Sequence, residues 1–185
     1  MSRRGAALTV LACVLAAGCG GSAPPRPEGP PVALGEPVVF AWGTTDGAEL
    51  SSATTRGRAT ALLFVTTYDA ASQVAARRLD EAIRRFVPRA NAGAIILEPP
   101  KNAVLADVFR STLELAYPVA IADQATLGGA GPFGRIDRVP TLVILDRSGR
   151  VSSARAGAAT PREIEAALRA ASEQGRVSGE GGNRP

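Results

Sequence analysis

Residues Thr60 to Thr66 read TALLFVT, a continuous run of apolar and β-branched side chains bounded by a threonine at each end. A strand wetted on one face alternates apolar and polar residues; this run does not, so it predicts a central strand buried on both faces. Such a strand needs neighbours on each edge and a covering layer on each side.

The rest of the chain supplies them in alternation. From Ala70 to Phe86 the apolar residues fall at Ala75, Leu79, Ile83 and Phe86, the spacing of one helical face. Asp80 with Arg84 and Glu81 with Arg85 are acid-to-base pairs four residues apart, so Arg77, Arg78, Arg84 and Arg85 read as a solvated, salt-bridged face. AGAIILEP gives another buried strand, Ala94 to Leu97. KNAVLADVFRSTLEL gives a second amphipathic helix with Val104, Val108 or Phe109, and Leu113 along its apolar side. PVAIAD is a brief strand, and LGGAGPFGR reads as a mobile segment. VPTLVILDRSGRV predicts a strand from Thr141 to Leu145, a turn at Ser148 and Gly149, and a return strand from Arg150. Thr160, Pro161 and Glu163 are start signals for a closing helix whose buried stripe is Ile164, Ala167, Leu168 and Ala171. Ahead of the central run, PVVF is a short strand, Asp46-Gly47 a turn and TTRGRA a second polar turn. This order predicts an α/β fold: a central mixed sheet with helices on both faces.

The first 19 residues, MSRRGAALTVLACVLAAGC, combine two arginines, an apolar stretch from Ala6 to Ala17 and small residues before a cysteine. The apolar part falls short of the roughly 18 to 20 residues that span a bilayer, so it reads as an export signal. Its end, LAAGC, resembles a bacterial lipobox, which implies that Cys19 is lipidated and becomes the first residue of the exported protein. Leu15 sits one place earlier than the usual leucine, with Ala16 in its position. The expected organisation is a signal over 1–19, a Pro/Gly-rich tether over 20–36, a folded domain over 37–173 and a disordered tail over 174–185.

Composition then removes whole classes of chemistry. There is no histidine, which excludes histidine catalysis and histidine metal ligation. With 4% aromatic residues the core is expected to be mostly Ala, Val, Leu and Ile. Loss of Arg3 and Arg4 with the signal lowers the formal charge of +4 to about +2, too little and too unclustered to argue for nucleic acid. The two cysteines are Cys13, inside the signal, and Cys19, at the lipobox, so the exported domain would carry no free thiol and no disulfide.

Glu36 to about Ala171 resembles the thioredoxin superfamily, specifically the TlpA-like and redoxin-like proteins of the bacterial envelope. The resemblance rests on TTDGAELSSATTRGRATALLFVTTYDAAS, on YPVAIAD, on RVPTLVILDRSGRV and on the closing helix, in that order. It implies a thioredoxin-like fold. The departure lies at the chemistry: where the family has Cys-x-x-Cys, this chain has Asp69-Ala70-Ala71-Ser72. Disulfide exchange needs a thiolate nucleophile and a second thiol, and neither Asp69 nor Ser72 supplies one. The same substitution removes the single reactive cysteine of the peroxide-reducing relatives.

Asp69 is expected to cap the helix that follows. The sharper alternative gives it acid-base or electrostatic work, with Ser72 and Tyr68 as hydrogen-bonding neighbours. The resemblance implies that Pro140 is cis and that Val139 and Pro140 line a peptide groove beside Tyr68 and Asp69; otherwise Pro140 only shapes a turn. No catalytic residue, cofactor or metal site is expected. The expectation is a redox-inactive, lipid-anchored envelope protein that binds a protein or peptide partner. The alternative is a thiol-disulfide or peroxide oxidoreductase, which the missing cysteines contradict.

Overall fold

The computed structural model describes residues 33–35 and 37–177. The chain enters against the far end of the domain: Gly35 N–H donates to Val151 O and Val38 N–H to Gly149 O. A hairpin follows, β1 (Ala41–Gly43) paired antiparallel to β2 (Glu49–Ser51), with Gly47 in the turn at φ +81°. Ser51 then caps a single helical turn, α1 (Ser52–Thr55).

The main sheet holds β3 (Ala59–Val65), β4 (Ala90–Ile96), β5 (Val119–Ile121), β6 (Thr141–Leu145) and β7 (Val151–Ala156), in the order β5-β4-β3-β6-β7. β3 and β5 run parallel to β4, while β6 runs antiparallel to both β3 and β7. The central run is therefore the central strand, and every residue of β3 is buried. Its side chains divide by parity, as a period of two requires. Ala61, Leu63 and Val65 join one core cluster, and Leu62 and Phe64 the other.

Helices α2 (Ala70–Arg84), α3 (Ala103–Thr112) and α5 (Pro161–Val177) all contribute to the first cluster. The steps from β3 to β4 and from β4 to β5 go the same way across the sheet, so two right-handed crossovers put α2 and α3 on one face. The other face is covered by the β1–β2 hairpin, by α4 (Gln124–Gly128) and by the segment through Phe133. Phe40, Trp42, Phe64 and Phe133 meet there with ring centroids 4.9 to 6.1 Å apart. The indole N–H of Trp42 donates to Thr126 Oγ1 at 3.1 Å. The hairpin packs closely because β4 carries Gly93, whose missing Cβ leaves the space that Leu50 fills.

Five details differ from the sequence reading. PVVF is not a strand: Pro37 makes only an isolated bridge to Arg150, and the first strand starts at Ala41. The polar turn read at TTRGRA is partly helical, since Thr54 and Thr55 belong to α1. β4 starts at Ala90, since its small residues are as buried as the aliphatic ones. On α3 the buried positions are Ala106 and Phe109, leaving Val104 and Val108 exposed, because the helix rotates its bulkiest ring inward. LGGAGPFGR is structured rather than loose: α4 ends at Gly128, and Phe133, only 3% exposed, pins the remainder to the second cluster.

The closing helix starts as its signals predict, with Thr160 and Glu163 exchanging hydrogen bonds, and it runs to Val177, past the expected boundary at 173. The Arg155 guanidinium, followed by the Thr160 groups, brings the Glu163 carboxyl down to about 2.

Candidate functional site

The antiparallel register sets Phe64 opposite Thr141. The chain therefore leaves β3 toward Asp69 at the same end of the sheet where Val139 and Pro140 lead into β6. The two stretches singled out in the sequence are brought to one end of the sheet by this pairing alone.

Asp69 is the N-cap of α2. Its Oδ1 accepts the Ala71 N–H at 3.3 Å, and its Oδ2 accepts the Ser72 N–H at 2.9 Å and the Ser72 hydroxyl at 2.8 Å. The Ser72 hydroxyl, and then the two backbone donors, outweigh the upward push of burial and hold the Asp69 carboxyl below the usual carboxylate range. Ser72 is wholly buried, and its Oγ also accepts the Thr66 N–H at 3.3 Å. The pair thus closes the last turn of backbone between β3 and α2. Tyr68 is not part of this network: it is 80% exposed, and among the described residues its hydroxyl makes no hydrogen bond. Of the two hydrogen-bonding neighbours that the acid-base alternative gave Asp69, Ser72 is in contact with the carboxylate and Tyr68 is not.

The Val139–Pro140 peptide is cis, Pro140 is buried and Val139 half-buried. Pro140 O accepts the Gly157 N–H at 2.7 Å, whereas the backbone N–H and C=O of Val139 have no partner among the described residues.

Glu98, which the sequence reading passed over, is the buried acid of this end. Its Oε1 accepts both the Thr67 N–H, at 2.6 Å, and the Thr67 hydroxyl, at 2.7 Å, while Oε2 accepts the Asn102 amide at 2.9 Å. Burial pushes the carboxyl up, but the Thr67 and Asn102 hydrogen bonds more than offset it and leave the group below its ordinary value. A lone acid closing the apolar run of AIILE was the available signal. Next to it, Thr67, Gln73, Leu105, Val108, Phe109 and Leu113 line a groove of about 210 Å³ between α2 and α3. Of these, Leu105 and Val108 are 49% and 52% exposed, and Val74, next to Gln73 on α2, is 45% exposed.

This arrangement is poor in reactive chemistry. Asp69 is committed to its cap with a depressed pKa, which makes it a weak general base at neutral pH. Among the described residues no three of His, Cys, Asp or Glu are grouped to hold a metal ion. What the site offers is apolar surface and unpaired backbone.

The sheet order, the crossovers and a capped helix issuing from the central strand define a thioredoxin-like fold. No family model matches the sequence, and no curated protein matches it. Solved structures match it well. StoA from Bacillus subtilis covers 71% of this chain and 97% of its own, at a TM-score of 0.58 and 18% identity. A DsbF homologue from Corynebacterium diphtheriae covers 78% and 96%, at 0.65 and 17%. A secreted thiol-disulfide isomerase from Corynebacterium glutamicum covers 79% and 94%, at 0.66 and 14%.

Proposed function

We propose that this chain is an exported, lipid-tethered, redox-inactive thioredoxin-fold protein that binds a protein or peptide partner through the face formed by Tyr68, Val139 and the α2–α3 groove. The observation that carries it is the exposure of Leu105 and Val108 in that groove and of Tyr68 and Val74, which follow its lining residues Thr67 and Gln73 in the chain, at the end of the sheet where the Val139 backbone has no partner among the described residues. An extended segment can pair with such backbone groups and place side chains in an apolar groove without any thiol.

Redox inactivity is supported by the absence of cysteine from residues 20–185. Export is supported by the signal-like N-terminus and by the neighbour from C. glutamicum, which is described as secreted. A thiol-disulfide activity would need both cysteines to come from another protein.

The test is in vivo crosslinking from a photoreactive residue at position 68, run beside a folded Leu105→Asp, Val139→Arg variant. A discrete envelope protein captured by the parent and lost with the variant supports the reading. Equal capture by both, or none by either, removes it. Disulfide reductase activity in the purified parent would overturn the redox-inactive part.

A further inference from the structure

The end of the molecule opposite this face holds a cleft of about 580 Å³ into which arginines converge from five separate places in the chain. They are Arg58 before β3, Arg85 at the end of α2, Arg89 before β4, Arg147 in the β6–β7 turn and Arg169 on α5. The sheet register brings them together, since Ala59 pairs with Ala90 and Thr60 with Leu145. Two carboxylates, Glu165 and Glu173, share the lining. Glu165 is taken by Arg85, at 2.8 Å. The other four guanidinium groups have no carboxylate within 4 Å among the described residues: Arg147 donates only to Gly57 O, and Arg89 lies over the Phe86 ring. Five arginines against two glutamates leave the cleft with an excess of positive charge, which costs folding free energy that a bound anion would relieve.

The place of this cleft identifies the anion. Gly35 and Val38 enter the domain by hydrogen bonds to Val151 and Gly149 on the β6–β7 hairpin, the turn of which carries Arg147. The chain that comes from Cys19 therefore arrives at the arginine end. The capped end of α2 lies about 22 Å away, the length of a fifteen-residue helix.

We propose that the arginine cleft binds the phosphates of anionic phospholipid headgroups, so that the domain docks on the membrane surface with the Tyr68 face turned outward. Guanidinium groups match phosphate oxygens in bidentate fashion, and clusters of four or more basic residues near a membrane select anionic lipid. The affinity is independent of the peptide-binding reading. The choice of a lipid phosphate and the orientation both rest on the tether at Cys19.

The test uses the full chain carrying Cys19→Ser, which cannot be acylated, in co-sedimentation with vesicles of phosphatidylcholine alone or mixed with phosphatidylglycerol. Residues 1–32 contribute equally to parent and variant, so the difference reads the cleft. Expected is preferential binding to the anionic vesicles, weakened by salt and reduced roughly tenfold or more by Arg58→Glu with Arg169→Glu. Arg89→Gln with Arg147→Gln, milder changes on two other segments, is expected to act in the same direction. Unfolding curves matching the parent establish that each variant is folded. Equal binding by parent and folded variants overturns the proposal, as does equal binding to both vesicle types. Displacement by excess inorganic phosphate at constant ionic strength would show a free-phosphate site and overturn the membrane assignment. Crosslinking from position 68 in the arginine variants tests the other face separately.

Discussion

Glu98 Oε1 holds both the backbone N–H and the hydroxyl of Thr67, joining the end of β4 to the loop that leaves β3. Glu98→Ala strands these half-buried donors and is expected to cost about 1–3 kcal/mol, read from a denaturant midpoint at unchanged m-value. Glu98→Gln keeps an accepting oxygen and is expected to cost about 1 kcal/mol. The folded carboxyl titrates below its unfolded value of about 4.3, so its contribution is complete above that pH and is lost as pH falls through the lower folded value. The parent is therefore expected to lose stability more steeply than Glu98→Gln in acid. Parallel acid profiles would show that the carboxylate is not what matters.

Asp69→Ala is expected to destabilise by about 0.5–2 kcal/mol, the range for a lost N-cap. Asp69→Asn keeps a capping oxygen and falls between. Ser72→Ala removes the donor to Asp69 and the acceptor of the buried Thr66 N–H, and is expected to cost about 1–2 kcal/mol. If Ser72→Ala is neutral, the Asp69–Ser72 bond does not hold this turn together.

The resemblance to the thioredoxin superfamily implies that Asp69 and Ser72, the N-cap and the third helical residue, stand where the redox members carry Cys-x-x-Cys. Asp69→Cys combined with Ser72→Cys is expected to form a reversible disulfide, seen as two thiols above the parental background that appear only on reduction. Each single variant is expected to titrate one thiol whether reduced or not. A folded double variant that keeps both thiols free under oxidation would count against the helix geometry at this site.

Gly93 faces Leu50 so closely that a Cβ would overlap the leucine's terminal methyl groups. Leu50 is only 2% exposed and has little room to withdraw. Gly93→Ala is therefore expected to cost about 1–3 kcal/mol. Gly93→Ala with Leu50→Ala should recover part of the loss attributable to crowding, which a thermal melt series resolves.

The fold was legible because its strongest signal, the unbroken run of β3, admits few neighbours, and because α2 and α5 announce their starts with local side-chain chemistry at Asp69 and Thr160. Asp69 as a cap is a contact three residues long, so the sequence alone suffices to read it. Glu98 bonds across 31 residues to Thr67, and no periodicity marks such a pairing. Phe133 sits in a glycine-rich stretch whose composition suggests mobility, yet its place is fixed by aromatic partners some 70 to 90 residues away. The arginine cleft was hidden for the same reason. Its five guanidinium groups come from five separate segments, and Arg85, the one read in its local context, is the paired one.

The chain contains a single tryptophan, and Trp42 stacks among Phe40, Phe64 and Phe133 on the hairpin side of the sheet. The three long helices all lie on the opposite side. Tryptophan fluorescence, excited selectively over the tyrosines, therefore reports one layer of the molecule, and the helical circular dichroism signal reports chiefly the other. The protein carries its own two-channel optical probe, through which the detachment of either layer from the central strand can be timed separately, with no label attached.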